Sequence, residues 1–206
     1  MNCNTATYSI VLPIRDEDAS LPQLFDEIEQ AFSGTTYEII AVDDASGLAD
    51  HGGKWEALRT GIERAKGSVI ITMDSDLQDD PKEIQKLLLP GFDVVSGWRK
   101  NRQDPYYKIF LTRLANTIFG FKDFASPMKV YRREALDKLP KEGNLLRYSF
   151  LFARQLGLKT AEVPVVHRAR LYGRSKFGII KYFRILYDMI LLSLLFSGSG
   201  RIRRKP

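Results

Sequence analysis

The chain has 206 residues, 44% of them hydrophobic, which fits one domain with a sizeable core and an appendage. Its formal net charge of +6, from 31 basic and 25 acidic residues, suits an anionic partner: phosphates, a membrane surface or nucleic acid. A single cysteine, Cys3, excludes an internal disulfide and fits a reducing compartment. Two histidines, His51 and His167, are too few for a histidine-rich metal site, and the polar start of the chain shows no signal peptide.

Residues 8–13 read as a first strand, closed by Pro13 and followed by a charged loop. Helical spacing over 20–32 puts Leu21, Leu24, Phe25, Ile28 and Phe32 on one side. Residues 37–42 form a second strand that ends in Asp43-Asp44-Ala45-Ser46. Gly52-Gly53 then lead into a helix over 54–66, with Trp55, Leu58 and Ile62 on its buried face. The apolar, β-branched run 69–73 is a buried strand. It ends abruptly in Asp74-Ser75-Asp76-Leu77-Gln78-Asp79-Asp80, and Pro81 opens a helix over 81–89 from the first-turn position that proline favours. Residues 92–97 are a further strand, leading into Trp98-Arg99. This β-α-β-α-β alternation predicts a mostly parallel sheet covered by helices.

Beyond it the pattern predicts a helix over 105–119 carrying Arg113, a short strand over 126–131, helices over 133–139 and 145–156, and a strand over 159–166. Residues 168–176 form a basic loop containing Gly173. Residues 177–196 are the most apolar segment, interrupted by Lys181, Arg184 and Asp188. The uninterrupted part is shorter than the roughly 20 residues a spanning helix needs. With Arg201, Arg203, Arg204 and Lys205 behind it, the segment reads as an amphipathic helix lying on an anionic membrane. A core helix with a solvated tail is the alternative. The expected division is a catalytic domain over 1–176 and a membrane-surface helix with basic tail over 177–206.

Open α/β sheets bind ligands at the carboxyl ends of their strands. Asp74 and Asp76, with the amide of Gln78, make a hard oxygen site there, suited to Mg²⁺ or Mn²⁺ carrying a substrate diphosphate. The alternative use of Asp74 or Asp76 is to cap the helix at Pro81. Asp79 and Asp80 read as helix-start acids. Arg99, and Arg168, Arg170 and Lys176, have a plain reading as surface charge, and Trp55, Trp98 and His167 read as structural.

Five stretches carry a resemblance: Val11-Leu12-Pro13-Ile14-Arg15-Asp16-Glu17, Ile40-Ala41-Val42-Asp43-Asp44-Ala45-Ser46, Ile71-Thr72-Met73-Asp74-Ser75-Asp76-Leu77-Gln78, Val95-Ser96-Gly97-Trp98-Arg99, and Glu162-Val163-Pro164-Val165 through Ser175-Lys176-Phe177-Gly178. In this order, across nearly the whole chain, they resemble family 2 glycosyltransferases of the GT-A fold, in the branch of the dolichyl- and polyprenyl-phosphate sugar transferases (dolichol-phosphate mannose synthase-like). The resemblance implies a nucleotide pocket lined by Pro13, Glu17 and Asp44. It implies that Asp74 contacts the nucleotide sugar and that Asp76 and Gln78 hold the metal. Arg99, Arg113, Arg170 and Lys176 would face donor or acceptor phosphates, Lys176 within a mobile acceptor loop. The implied reaction is inverting transfer of a hexose from a GDP- or UDP-linked sugar to a polyprenyl phosphate. The acceptor is already an anionic nucleophile, so a strong general base is less needed than for a hydroxyl.

The chain departs from that pattern in three places. Residues 47–52 stand where relatives carry a further helix and strand, which exposes the 37–42 strand as an edge. Arg15-Asp16 replaces a frequent Tyr-Asn, and Asn144 stands near where many bacterial relatives carry a glutamate. Relatives often continue into transmembrane helices, so this chain is expected at the cytoplasmic membrane face, held peripherally or by a separate membrane subunit. Two rival readings are a family 2 transferase acting on a glycan hydroxyl and a non-catalytic nucleotide-sugar-binding relative. No Walker-type or Gly-x-Gly-x-x-Gly loop is present, and no nucleic-acid partner is expected.

Overall fold

The computed structural model describes residues 8–15, 19–43, 53–101, 106–124, 126–142, 144–169, 187–188 and 190–191. Six strands form one sheet: β1 (Tyr8–Ile14), β2 (Tyr37–Asp43), β3 (Val69–Thr72), β4 (Val94–Arg99), β5 (Lys129–Arg132) and β6 (Thr160–Val165). Their spatial order is β2-β1-β3-β5-β4-β6. β1 runs parallel to β2 and β3, and β4 parallel to β6, while β5 is antiparallel to both of its neighbours, β3 and β4. The expected mostly parallel sheet is therefore present, with one reversed strand inside it. That reversal matters for the site. Lys129, at the start of β5, lies beside Thr72 and Ser96, at the end of the sheet where β1, β3 and β4 finish.

Strand alternation sorts the core into two layers. Val11, Ile70, Val94 and Tyr131 face one side, against Leu58 and Ile62 of α2 (Lys54–Arg64) and Phe150 and Phe152 of α6 (Ser149–Gln155). Ile10, Ile71, Val95 and Val130 face the other, against Leu24 and Ile28 of α1 (Leu21–Ala31) and Ile84 and Leu87 of α3 (Ile84–Leu87). Helix α2 lies close on the sheet because residue 61 is glycine; a β-carbon there would collide with Val11. β2 is the edge strand, with every residue at least partly exposed.

Three expected helices are shorter than their periodicity, the one over 133–139 being the single turn Arg133–Leu136. Residues 81–89 wind as a 3₁₀ turn, Pro81–Glu83, followed by the single turn of α3. Pro90 explains the early stop, since its ring bars Leu89 from helical geometry. Residues 145–156 begin as the 3₁₀ turn Leu145–Tyr148 before α6 starts at Ser149. The remaining helices are α4 (Tyr106–Phe119) and α5 (Arg133–Leu136). Of the expected amphipathic helix over 177–196, Tyr187, Asp188, Ile190 and Leu191 are described, all helical; the rest lies outside the described residues.

Candidate active site

The acidic turn after β3 is held from three directions. The Ser75 hydroxyl donates to the Pro13 carbonyl at 2.8 Å, and the Ser20 hydroxyl donates to the Ser75 carbonyl at 2.9 Å. The end of β1, the start of α1 and the acidic turn are thereby one unit. Leu77 has φ of +61° and is fully buried between Asp76 and Gln78. A leucine in the left-handed region costs on the order of 1–3 kcal/mol; its burial in the core against the α1 and α3 layer anchors the turn in that shape.

Within the turn, Asp76 is buried, and its Oδ1 accepts the Gln78 backbone N–H at 3.1 Å. Asp74 is half-exposed and ion-paired with Lys54, the first residue of α2. The Gln78 side-chain amide donates to the Arg168 carbonyl at 3.3 Å, and the Arg168 N–H donates to the Gln78 carbonyl at 2.8 Å. Asp79 and His167 form an antiparallel bridge next to it. The start of the basic loop is thus stitched to the acidic turn by backbone hydrogen bonds. The Arg168 guanidinium completes the seam, meeting Glu27 of α1 at 2.7 Å and Asp80 at 2.6 Å.

Asp80 is a helix-start acid as expected, its carboxylate accepting the Lys82 N–H at 2.9 Å. Asp79 is not. It is 1% exposed and neither carboxylate oxygen has a hydrogen-bond partner. Burial pushes its carboxyl up from the ordinary 3.8 to about 7, with Asp74 and Asp76 adding to the rise and Arg99 and Lys54 opposing it. The spacing to Pro81 suggested a cap, but pairing with His167 turns this residue inward, toward the charges of the site.

Arg99, at the end of β4, was expected to face phosphates. Its Nε and Nη2 instead donate to Asp123 at 2.7 and 3.0 Å, in a pair whose side chains are only 9% and 3% exposed. Arg99 enters the site as an internal clamp whose positive charge is felt at Asp79 and Lys129. Glu162 of β6 holds the other side of the same loop, accepting the N–H groups of Lys122 and Asp123 at 2.8 and 3.3 Å. Pro13 is buried at the end of β1, beneath the turn. Arg113 is exposed on α4, apart from these contacts, and Asn144 is exposed at the start of its 3₁₀ turn. Glu17, Asp44, Arg170 and Lys176 lie outside the described residues.

The chain is similar to known proteins in sequence and in fold. The profile of Glycosyl transferase family 2 matches residues 48–140, the stretch that contains α2, β3 and the acidic turn. An undecaprenyl-phosphate 4-deoxy-4-formamido-L-arabinose transferase of Aeromonas hydrophila is 29% identical over 92% of this chain and 68% of its own length. The enzyme of the same name from Pseudomonas fluorescens is 31% identical over 88% of this chain and 63% of its own. Over residues 48–140 the chain is similar to glycosyl transferase family 2. Glucosyl-3-phosphoglycerate synthase of Mycobacterium tuberculosis, crystallised with Mn²⁺ and UDP-glucose, superposes with a TM-score of 0.71 over 96% of this chain and 81% of that one, at 19% identity, which speaks for the GT-A fold. The chain spans about two thirds of the length of these curated relatives.

The oxygen donors of the acidic turn are of the kind that could hold a divalent cation. Among the described residues no group of three histidine, cysteine or acidic side chains is arranged around one point. Mg²⁺ and Mn²⁺ do not require one: they take one or two carboxylates and complete their shell with substrate phosphates and water. Asp76, with Asp74 and the Gln78 amide oxygen, could supply those ligands.

Four charged residues that the structure places around the acidic turn and its neighbours were not singled out as site residues by the sequence pattern: Lys54, Asp79, Asp123 and Lys129. Lys54 was visible only as the first residue of a glycine-preceded helix. Lys129 carried a clearer signal, a charge flanked by Met128 and Val130 within a short apolar strand. Nothing local distinguished Asp123 or Asp79, because their partners are 24 residues or more away.

Proposed function

We propose that this chain catalyses inverting transfer of a single sugar from a nucleoside-diphosphate sugar to a polyprenyl phosphate, at the cytoplasmic surface of a membrane. The observation that carries the reading is the seam between Gln78-Asp79 and His167-Arg168, which delivers the start of the basic loop to the acidic turn. Donor diphosphate and acceptor phosphate are both anions, and transfer needs the acceptor oxygen held about 3–3.5 Å from the carbon that the diphosphate leaves, in line with it. An acidic turn that takes a cation, facing the root of a cationic loop, is the charge pattern for that task. The relatives are named as undecaprenyl-phosphate sugar transferases, which supports the same acceptor.

In this reading Asp76 and Gln78 hold the cation, and Asp74 orients the donor. The bound cation supplies charge neutralisation for the departing diphosphate. Lys54 fixes Asp74, and the Ser20–Ser75–Pro13 chain keeps the turn from moving under load. Arg170 and Lys176 bind the acceptor phosphate, whose oxygen attacks the anomeric carbon opposite the diphosphate and inverts it, with no covalent enzyme intermediate. The glycan-hydroxyl alternative needs a general base. Asp79 has a suitable proton affinity, but at 1% exposure it has no access to an incoming hydroxyl.

A membrane surface is supported by α4. Tyr106, Phe110, Leu114 and Ile118 recur at every fourth position and are all exposed, Tyr106 at 93% and Phe110 at 67%. That spacing makes one apolar stripe along the helix, and exposed Arg113 flanks it. No described helix is long and apolar enough to cross a membrane.

The test is incubation with Mn²⁺, a panel of UDP- and GDP-sugars and a short polyprenyl phosphate, followed by detection of glycolipid. Product from the wild type and a loss of about 100-fold or more in Asp76→Asn is the expected result. Equal product from both proteins would remove Asp76 from the metal site. Metal-dependent nucleotide binding without turnover would favour the non-catalytic alternative.

A further inference from the structure

The two edges of the sheet are finished differently. At β6 the Lys100 N–H donates to the Val165 carbonyl at 3.2 Å, so odd-numbered residues there spend their backbone groups on β4 and even-numbered ones turn outward. Of those outward positions, Pro164 has no N–H, and the N–H of Val166, just past the strand, is taken by the Glu83 carboxylate at 3.1 Å. Proline at an outward position of an edge strand is a bar to strand addition.

β2 carries no such guard. The Tyr8 N–H donates to the Thr36 carbonyl at 3.1 Å, so Glu38, Ile40 and Val42 spend their backbone groups on β1, while Tyr37, Ile39 and Ala41 turn theirs outward. Among the described residues no strand lies beyond them. β2 is one of the two longest strands of the sheet and contains no proline, glycine or lysine. Glu38 is the acid within it that would repel an incoming strand. Its carboxylate is engaged inside the chain, accepting the Ser9 hydroxyl and the Lys66 N–H, both at 2.6 Å. A long apolar edge with its N–H and C=O groups outward is a template for another strand.

We propose that β2 is a self-association edge: two copies of this chain pair antiparallel through Tyr37–Asp43 and join their six-stranded sheets into one. The strand is complementary to itself. A two-fold axis at Ile40 sets Ile40 against Ile40, Ile39 against Ala41, Glu38 against Val42 and Tyr37 against Asp43. No like charges stand opposite one another, which antiparallel pairs penalise. The outward groups are also in the right phase. Ile39 of each copy exchanges both backbone hydrogen bonds with Ala41 of the other, and the Ile40 pair across the axis needs none. Ile40 and Val42 lie beside Gly61 of α2, and the two-fold keeps that face of both sheets on one side. The same patch thus serves both copies, and the assembly closes at two.

The experiment is sedimentation equilibrium of the full chain in lipid-free buffer, for wild type, Ala41→Pro and Ala41→Lys. Wild type is expected at twice the chain mass in the micromolar range. Ala41→Pro repeats at this edge what Pro164 does at the other, removing one donor per copy, and is expected to raise the dissociation constant about ten-fold or more. Ala41→Lys, which changes an exposed side chain and keeps the N–H, is expected to do the same. If Ala41→Pro fails to give a cooperative thermal melt, Ala41→Lys is read alone. Register is tested with Ile40→Cys in a Cys3→Ser background. The Cα atoms of that pair would stand about 4.5 Å apart, within disulfide reach, so mild oxidation is expected to cross-link two copies. A monomeric wild type overturns the inference and leaves the edge to a strand of another protein. A dimer that survives the Ala41 variants places the contact elsewhere, such as the exposed stripe of α4, and also overturns it. So does a dimer in which Ile40→Cys does not cross-link.

Discussion

The Arg168 backbone N–H donates to the Gln78 carbonyl at 2.8 Å, while the Arg168 side chain reaches both Glu27 and Asp80. One residue thus joins β6's exit, the acidic turn and helix α1. Arg168 is also the first residue of the basic loop over 168–176. Replacing Arg168 with alanine removes the side-chain clamp and leaves the backbone bond. The guanidinium is about one-third exposed, so solvent screening keeps the stability loss to about 1 kcal/mol. The larger effect is expected on the loop: faster proteolytic cleavage within residues 169–176 and a higher KM for polyprenyl phosphate, with the KM for nucleotide sugar little changed. Limited proteolysis read by mass spectrometry and steady-state kinetics check both halves.

Arg99 and Asp123 form a buried bidentate pair, and breaking such a pair from one side leaves an uncompensated charge. Asp123→Leu and Arg99→Met are each expected to cost about 3–5 kcal/mol of unfolding free energy. The double variant Arg99→Met, Asp123→Leu is expected to recover much of that loss. Urea unfolding of the four proteins in the cycle measures the coupling, and additive losses would show that the two side chains do not act as a pair.

Asp79 ties stability to pH. Its carboxyl has a folded-state proton affinity raised from 3.8 to about 7, so between those values the folded chain holds a proton that the unfolded chain has released. Stability therefore falls as pH rises through that window and is lowest above it. Asp79→Asn removes the term. In metal-free protein the variant is expected to melt higher than wild type at pH 8, by an amount on the order of a few kcal/mol, and to match it near pH 4. Melting temperatures across pH 4–8 test the sign; a difference that does not grow with pH would count against it.

The stripe on α4 predicts membrane affinity. Full burial of a large apolar side chain is worth about 1.5–3 kcal/mol. Phe110→Ser with Ile118→Ser is therefore expected to weaken flotation with anionic vesicles by ten-fold or more, with the thermal melt unchanged because both side chains are exposed. Vesicles without anionic lipid are expected to bind wild type less well. A wild type that remains at the bottom of the gradient with either lipid, in monomeric form, would remove α4 from the membrane contact.

The order of elements, the mostly parallel sheet and the acidic turn at the end of β3 were all determined by local pattern. Period-two apolar runs, helical spacing and a proline after a cluster of acids act over a handful of residues, and those residues are adjacent in sequence. Leu77 shows the limit, since nothing in its type announces a left-handed backbone. Tertiary structure decided what each charge does. Asp80 caps and Asp79 does not, although they are neighbours of one type, because only Asp79 is turned inward by pairing with His167. Arg99 was legible as a cation at a strand end, but its engagement by Asp123 was not. Lys129 reaches the site because β5 runs backwards between β3 and β4. Electrostatic role depends on burial and on partners brought from dozens of residues away, and only the folded chain sets both.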